Sequence, residues 1–232
     1  MNKNQINIPD IKKMLHNRLK LSGWLKILGP IINSDQFDEI IYFLKTEVEN
    51  DRRFTPKIKD IFKAFEECPY KDLKIIMINQ DPYPQLNVAD GIAFSCSKTK
   101  TIQPALRYIF KELNGSQWDS FDPNLKRWSN QGVLLLNTAL TVQIGKIGSH
   151  CDLWKPITKL ILDKINEEFN NIPVVLFGAK AEEWHLRLRN QEIFKIPHPA
   201  SAAYNNEKWN CNNIFIKINT KLKEQNKKEI FW

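Results

Sequence analysis

Cysteine is scarce in this chain and poorly arranged for chemistry. The 232 residues hold four, at Cys68, Cys96, Cys151 and Cys211, with no C-x-x-C pair and no histidine at a metal-ligand interval. That spacing suggests neither a disulfide framework nor a zinc site, so the four read as reduced thiols of an intracellular protein. Glycine is sparse too, eight in all, and none belongs to the glycine-rich run that cradles a phosphate. No apolar run is long enough to cross a bilayer, and Met1–Lys20 is polar and basic rather than a secretory leader. A cytoplasmic protein without membrane attachment is expected. No serine or cysteine with a base partner stands in an evident nucleophile elbow, so acyl transfer, nucleotide hydrolysis and metallohydrolysis all lose ground.

What the chain does hold is apolar residue for one well-buried core, 42% of the total, and no internal repeat. A single domain over residues 1–232 is expected, with residues 1–20 as a loosely attached N-terminal helix. Lysine and arginine exceed aspartate and glutamate by eight, a surplus compatible with a polyanionic partner. Charge alone does not decide for one, because lysines on helix ends such as Lys221–Lys228 serve solubility equally well.

Hydrophobic spacing predicts helices over Ile11–Leu19, Gln36–Val48, Lys57–Glu66, Gln103–Leu113, Asn124–Ser129, Trp154–Phe169, Lys180–Arg189 and Lys208–Lys223. Four short apolar blocks stand among them, Ile75–Ile78, Val133–Leu136, Val174–Phe177 and Ile193–Ile196. In Ile75–Ile78 the apolar character is continuous rather than alternating, as for a parallel strand covered on both faces, and all four blocks read as core strands of a parallel sheet. The fold class is therefore α/β, a three-layer α/β/α arrangement around a four-stranded parallel sheet. Trp24, Trp118, Trp128, Trp154 and Trp184 read as core or helix-packing aromatics.

The residues just past each strand carry the chemistry. The first block ends in Asn79-Gln80-Asp81-Pro82-Tyr83-Pro84, where two prolines hold the acid in a stiff turn. The second ends in Asn137-Thr138, the third in Gly178-Ala179 and the fourth in Pro197-His198-Pro199. An acid, an amide, a glycine turn and an imidazole thus converge on one sheet edge, where open α/β sheets bind ligands. Such groups suit cleavage of a bond to a sugar anomeric carbon, with cationic charge building on the sugar and anionic charge on the leaving base. Asp81 would stabilise the cation and orient water, His198 would donate to the base oxygen, Asn137 would meet a heterocycle edge, and Phe94 would stack on the ring.

NQDPYP, then Asp90-Gly91-Ile92-Ala93-Phe94-Ser95, GVLLLNTALTV at 132–142, Ser149-His150 with Trp154, and His198-Pro199 ahead of Ser201 occur in an order that resembles the family 1 uracil-DNA glycosylases. The resemblance runs from about Trp24 to about Leu222. It implies that Asp81 is the catalytic carboxylate and that His198 stabilises the uracil anion. It also implies that Gln80 lies over the uracil oxygen, Phe94 stacks on the base, Tyr83 refuses the thymine methyl, and Asn137 reads the N3 and O4 edge and so excludes cytosine. By the same resemblance the DNA face includes Pro104, Ala105, Gly178, Ala179, Ser201, Ala202 and Tyr204. The implied activity needs no metal or organic cofactor, acts on uracil-containing DNA, extracts the nucleotide before cutting, and is expected of a monomer.

The sequence departs from the family pattern at several of these positions. Pro84 replaces a histidine and Asn79 a glycine, while Ala105, Ala179 and Ala200 stand where the family carries serines that hold phosphates. The intercalating leucine falls on Ala202. Either Tyr204 or Trp209 is therefore expected to serve as the wedge, or flipping is weak and single-stranded substrate is preferred. Two readings stay open: an active glycosylase, favoured by Asp81, Tyr83, Phe94, Asn137 and His198 occurring together, and a DNA-binding module with little turnover. His150 is expected either to be a structural histidine or to order the loop near the site.

Overall fold

The computed structural model describes residues 7–99, 101–115, 117 and 122–232; Trp118, expected to pack in the core, lies outside them. The N-terminal part runs through α1 (Ile8–Ser22), α2 (Leu25–Ile32), α3 (Asp35–Glu49), the two-residue strand β1 (Phe54–Thr55) and α4 (Lys63–Glu67). The middle continues as β2 (Ile75–Asn79), α5 (Pro104–Asn114), α6 (Lys126–Ser129), β3 (Val133–Asn137), β4 (Val142–Gln143) and α7 (Cys151–Glu168). The chain then passes through β5 (Pro173–Phe177), α8 (Gly178–Glu182), β6 (Glu192–Ile196), α9 (Pro199–Asn205) and α10 (Ile214–Glu224). Strands β3, β2, β5 and β6 form a parallel sheet in that order, and β1 pairs antiparallel with β4 apart from it.

Side chains two apart on a strand share a face, and the core divides accordingly. Ile76, Ile78, Leu134, Leu136, Val174 and Leu176 meet the layer built by α1, α2, α3, α4 and α7, with Trp24, Phe37, Phe65 and Trp154 filling it. Ile75, Met77, Val133, Leu135, Val175 and Phe177 meet α5, α6 and α10 through Leu106, Phe110, Trp128 and Ile218. Both faces of β2, β3 and β5 are thus covered, which is why those strands are continuously apolar, whereas the edge strand β6 is only partly buried and leaves Lys195 exposed. From Ile8 onward the N-terminal helix is docked on this core, with Leu15 and Leu19 fully buried.

Helix α2 escapes hydrophobic-period reading because LKILGPII is only eight residues long and carries a glycine and a proline, with Lys26 and Pro30 its exposed positions. Helix α9 escapes it because only Pro199 and Ala202 are buried; it starts where Pro199 takes the first helical position, behind His198 as N-cap. The expected helix at Lys57–Glu66 is broken into a 3₁₀ turn at Ile58–Asp60 and α4. The expected Lys180–Arg189 helix likewise divides into α8 and a 3₁₀ turn at His185–Arg187. The C-terminal helix begins six residues later than expected, because Asn212 and Asn213 both adopt positive φ and hold off helical geometry until Ile214.

The connectivity positions the site. From β2 the chain goes to β3 on one side and later lays β5 on the other, so the carboxyl end of β2 lies at the reversal point where doubly wound sheets open a crevice.

Candidate active site

Asn79 and Asn137 are register partners at the carboxyl ends of β2 and β3. Beyond them the loop carrying the acid is tied to its neighbours through its backbone. The Thr138 N–H donates to Asn79 O at 2.9 Å, the Ala139 N–H to Gln80 O at 2.8 Å and the Gly145 N–H to Pro84 O at 3.0 Å. The Thr138 hydroxyl adds a second donor to Gln80 O at 2.9 Å. In that frame Asp81 Oδ2 accepts the Gly148 N–H at 2.5 Å. Burial pushes the Asp81 carboxyl above its ordinary range, opposed by the Gly148 N–H and the Gln80 side chain.

His198 leaves β6 as the N-cap of α9. Its Nδ1 accepts the Ala200 N–H at 3.1 Å, while Nε2 stands 2.8 Å from Asn79 Oδ1, an atom that can only accept. These two contacts require a neutral ring with its proton on Nε2. Burial lowers the His198 pKa to about 4, in agreement with that state. Gly178 backs the imidazole so closely, at φ +78°, that a Cβ on it would lie 2.9 Å from His198 Cβ.

Phe94 closes another side, its ring centroid 5.9 Å from that of His198 and 4.8 Å from that of Phe177. Its φ of +65° is unusual for a bulky residue and is sustained by its surroundings. The Tyr83 hydroxyl donates to Phe94 O at 3.1 Å, the Ala93 N–H to Leu135 O at 3.1 Å, and fully buried Asp90 accepts from the Ile92 N–H and the Ser95 and Ser97 hydroxyls.

Asp81, Tyr83, Phe94, Asn137 and His198 are joined to this one strand-end site, either directly or through the loops that close it. The expected DNA-face residues divide. Pro104, Ala179, Ser201 and Tyr204 are exposed and Gly178 half-buried, whereas Ala105 and Ala202 are buried with their methyl groups in the core. The Ser201 hydroxyl donates to His198 O at 2.6 Å. Trp209 is corrected as a wedge candidate: it is 3% exposed, donates through Nε1 to Pro197 O at 2.9 Å and stacks near Phe177. Tyr204, 74% exposed on α9, keeps the surface a wedge needs. His150 is structural, buried with its Nδ1 2.8 Å from the Thr141 hydroxyl, which also accepts the Trp154 Nε1–H at 2.7 Å. Sequence reasoning noted Asn79 only as a departure and passed over Gly148. Both matter through contacts that cross between loops, for which no local pattern exists. Among the described residues no group of three or more His, Cys, Asp or Glu side chains could hold a metal ion.

The family model described as the uracil DNA glycosylase superfamily matches residues 65–223. The chain belongs to that superfamily. It is 35% identical over 214 residues to a uracil-DNA glycosylase of Coxiella burnetii, covering 90% of this chain and 93% of that one. It is 34% identical to one from Flavobacterium johnsoniae, covering 91% and 97%. The crystal structure of mimivirus uracil-DNA glycosylase superposes with a TM-score of 0.78 at 23% identity, over 92% of this chain and 88% of that one, which establishes the shared fold.

Proposed function

We propose that this member of the uracil-DNA glycosylases hydrolyses the N-glycosyl bond between uracil and deoxyribose in DNA, with Asp81 and His198 dividing the charge that develops. As the bond breaks, its electron pair moves onto the uracil ring and positive charge grows at the anomeric carbon. The Asp81 carboxylate faces that carbon and orients the water that adds to it. The neutral His198 donates its Nε2–H to the uracil oxygen on which negative charge accumulates. Asn137 meets the N3–H and O4 edge, Phe94 stacks on the ring, and Tyr83, fixed by its bond to Phe94 O, stands where a thymine methyl would clash.

The observation that carries this reading is the state of His198. With Nδ1 accepting a backbone N–H and Nε2 facing an acceptor, the ring is ready to donate a hydrogen bond without bearing charge. A cationic imidazole would have to give up the bond from the Ala200 N–H.

The alanines at 105, 179 and 200 offer no hydroxyl to a phosphate, which supports weaker compression of the strand and a preference for single-stranded substrate. The test is incubation with uracil-containing oligonucleotides in EDTA and then with alkali, with thymine controls. Strand breaks only at uracil, reduced by two or more orders of magnitude in Asp81→Asn, are expected. No breaks with the parent protein, or equal release by Asp81→Asn, would overturn the assignment, the first outcome leaving a DNA-binding module.

A further inference from the structure

Asn79 ends β2 at a position where, by the resemblance noted above, the family carries a glycine, and its side chain reaches across the base pocket. Its Oδ1 accepts from His198 Nε2–H at 2.8 Å, and its Nδ2 donates to Asn137 Oδ1 at 2.9 Å and to Asp81 O at 3.1 Å. The residue is buried and every polar hydrogen of its amide group is used. An amide carries an acceptor oxygen and an N–H side by side on one carbon. The O2, C2 and N3–H atoms of uracil present the same pair in the same order. Resting on the function proposed above, His198 must donate to the uracil oxygen and Asn137 must accept from N3–H, and these are the two groups that Asn79 holds.

We propose that Asn79 is a built-in mimic of the pyrimidine edge that competes with the base for its pocket, and that uracil enters only as the Asn79 amide swings away and yields both hydrogen bonds. The side chain pivots from the last residue of a strand, so rotation about its own bonds suffices and the sheet stays in place. A base that replaces both contacts compensates for the displaced amide. One without a hydrogen on N3, such as cytosine, leaves Asn137 Oδ1 facing a lone pair and regains only part of what it displaces; the amide lowers the affinity of each base alike and leaves the ratio between bases to the direct contacts. A product held this loosely leaves readily.

The test is calorimetric titration of free uracil into the wild-type protein, Asn79→Gly and Asn79→Ala, the alanine variant retaining strand geometry should the glycine one fold poorly. Removing a competitor that holds two hydrogen bonds should tighten uracil binding about tenfold or more in each folded variant. A purely structural role for Asn79 has the opposite sign, since its loss would loosen His198 and Asn137 and weaken binding. Equal or weaker binding in the variants overturns the proposal. Because titration needs no turnover, a wild-type protein that binds uracil but cuts nothing fails the glycosylase reading alone. One that cuts, while its variants bind no tighter, fails this inference alone.

Discussion

Gly178→Ala separates positioning of the imidazole from everything else in the site. At φ +78° an alanine is strained, and its Cβ would fall 2.9 Å from His198 Cβ. The left-handed backbone costs about 1–2 kcal/mol, which for a chain of this length lowers the melting temperature by about 2–8 °C. Relief of the contact moves His198 by about 0.5 Å, enough to stretch its 2.8 Å bond to Asn79 and to shift Nε2 from the leaving oxygen. A displacement of that size costs on the order of tenfold in turnover. Gly145→Ala is the control, because Gly145 has nearly the same φ, +79°, with nothing within 4 Å of the added Cβ. It should lose similar stability and much less activity. Calorimetric melting and release of uracil from a single-stranded oligonucleotide read the two effects separately. Full turnover in Gly178→Ala, or an equal loss in Gly145→Ala, would refute the claim that the contact with His198 sets its position.

As pH falls, kcat/KM should drop through a midpoint above the ordinary carboxylate value of 3.8, as Asp81 takes up a proton, with no inflection near the ordinary histidine value of 6.5. The His198 contribution to stability has its own window: the unfolded ring binds a proton near 6.5 and the folded one only near 4, so stability is complete above 6.5 and is lost on acidification towards 4. That loss amounts to at most about 3 kcal/mol, and urea unfolding at a series of pH values measures it. Asp81 works the other way, since burial penalises its ionised form. Trp209→Ala should destabilise the fold by about 3–5 kcal/mol, whereas Tyr204→Ala should leave the melting temperature nearly unchanged and reduce cutting of duplex more than of single-stranded DNA. A stable Trp209→Ala protein, or a Tyr204→Ala protein with an unchanged duplex to single-strand ratio, would contradict these roles. Tyr83→Phe removes the bond to Phe94 O and should raise KM severalfold for about 1 kcal/mol of lost support, a change steady-state kinetics would detect.

The sheet was legible because Ile75–Ile78, Val133–Leu136 and Val174–Phe177 are enclosed by helices and burial of that kind writes itself into consecutive residues, while β6, at the edge, is half-buried and carries an exposed Lys195. The helices of the outer layers were legible where one face is wet, as in α3 and α7. Helix α2 was not, since only eight residues with a glycine and a proline inside leave too little period to read, and neither was α9, whose start comes from a proline and the His198 cap. Asp81, Asn137 and His198 could be picked out because each comes directly after, or at the end of, a strand. Their chemical states could not. That His198 carries its proton on Nε2 depends on Ala200 close by in the chain and on Asn79 far away in it. In the same way Tyr204 and Trp209 are two aromatics in one short segment, and it takes the bond from Trp209 to Pro197 O and the packing on Phe177 to show which of them turns inward.

A single pocket holding a charged carboxylate and an uncharged imidazole poses an electrostatic problem, because withdrawal from water disfavours charge on both. The hydrogen-bond donors resolve it unequally. Gly148 N–H and the Gln80 side chain point at Asp81, and each favours the anion. The donor offered to His198, the Ala200 N–H, points at Nδ1, the very atom that must gain a proton for the ring to become cationic. The same burial therefore acts with the local dipoles at His198 and against them at Asp81, driving the two groups towards different charge states across neutral pH. In the reaction proposed above, a neutral His198 reserves its Nε2–H for the departing base and leaves the charge in the site to Asp81.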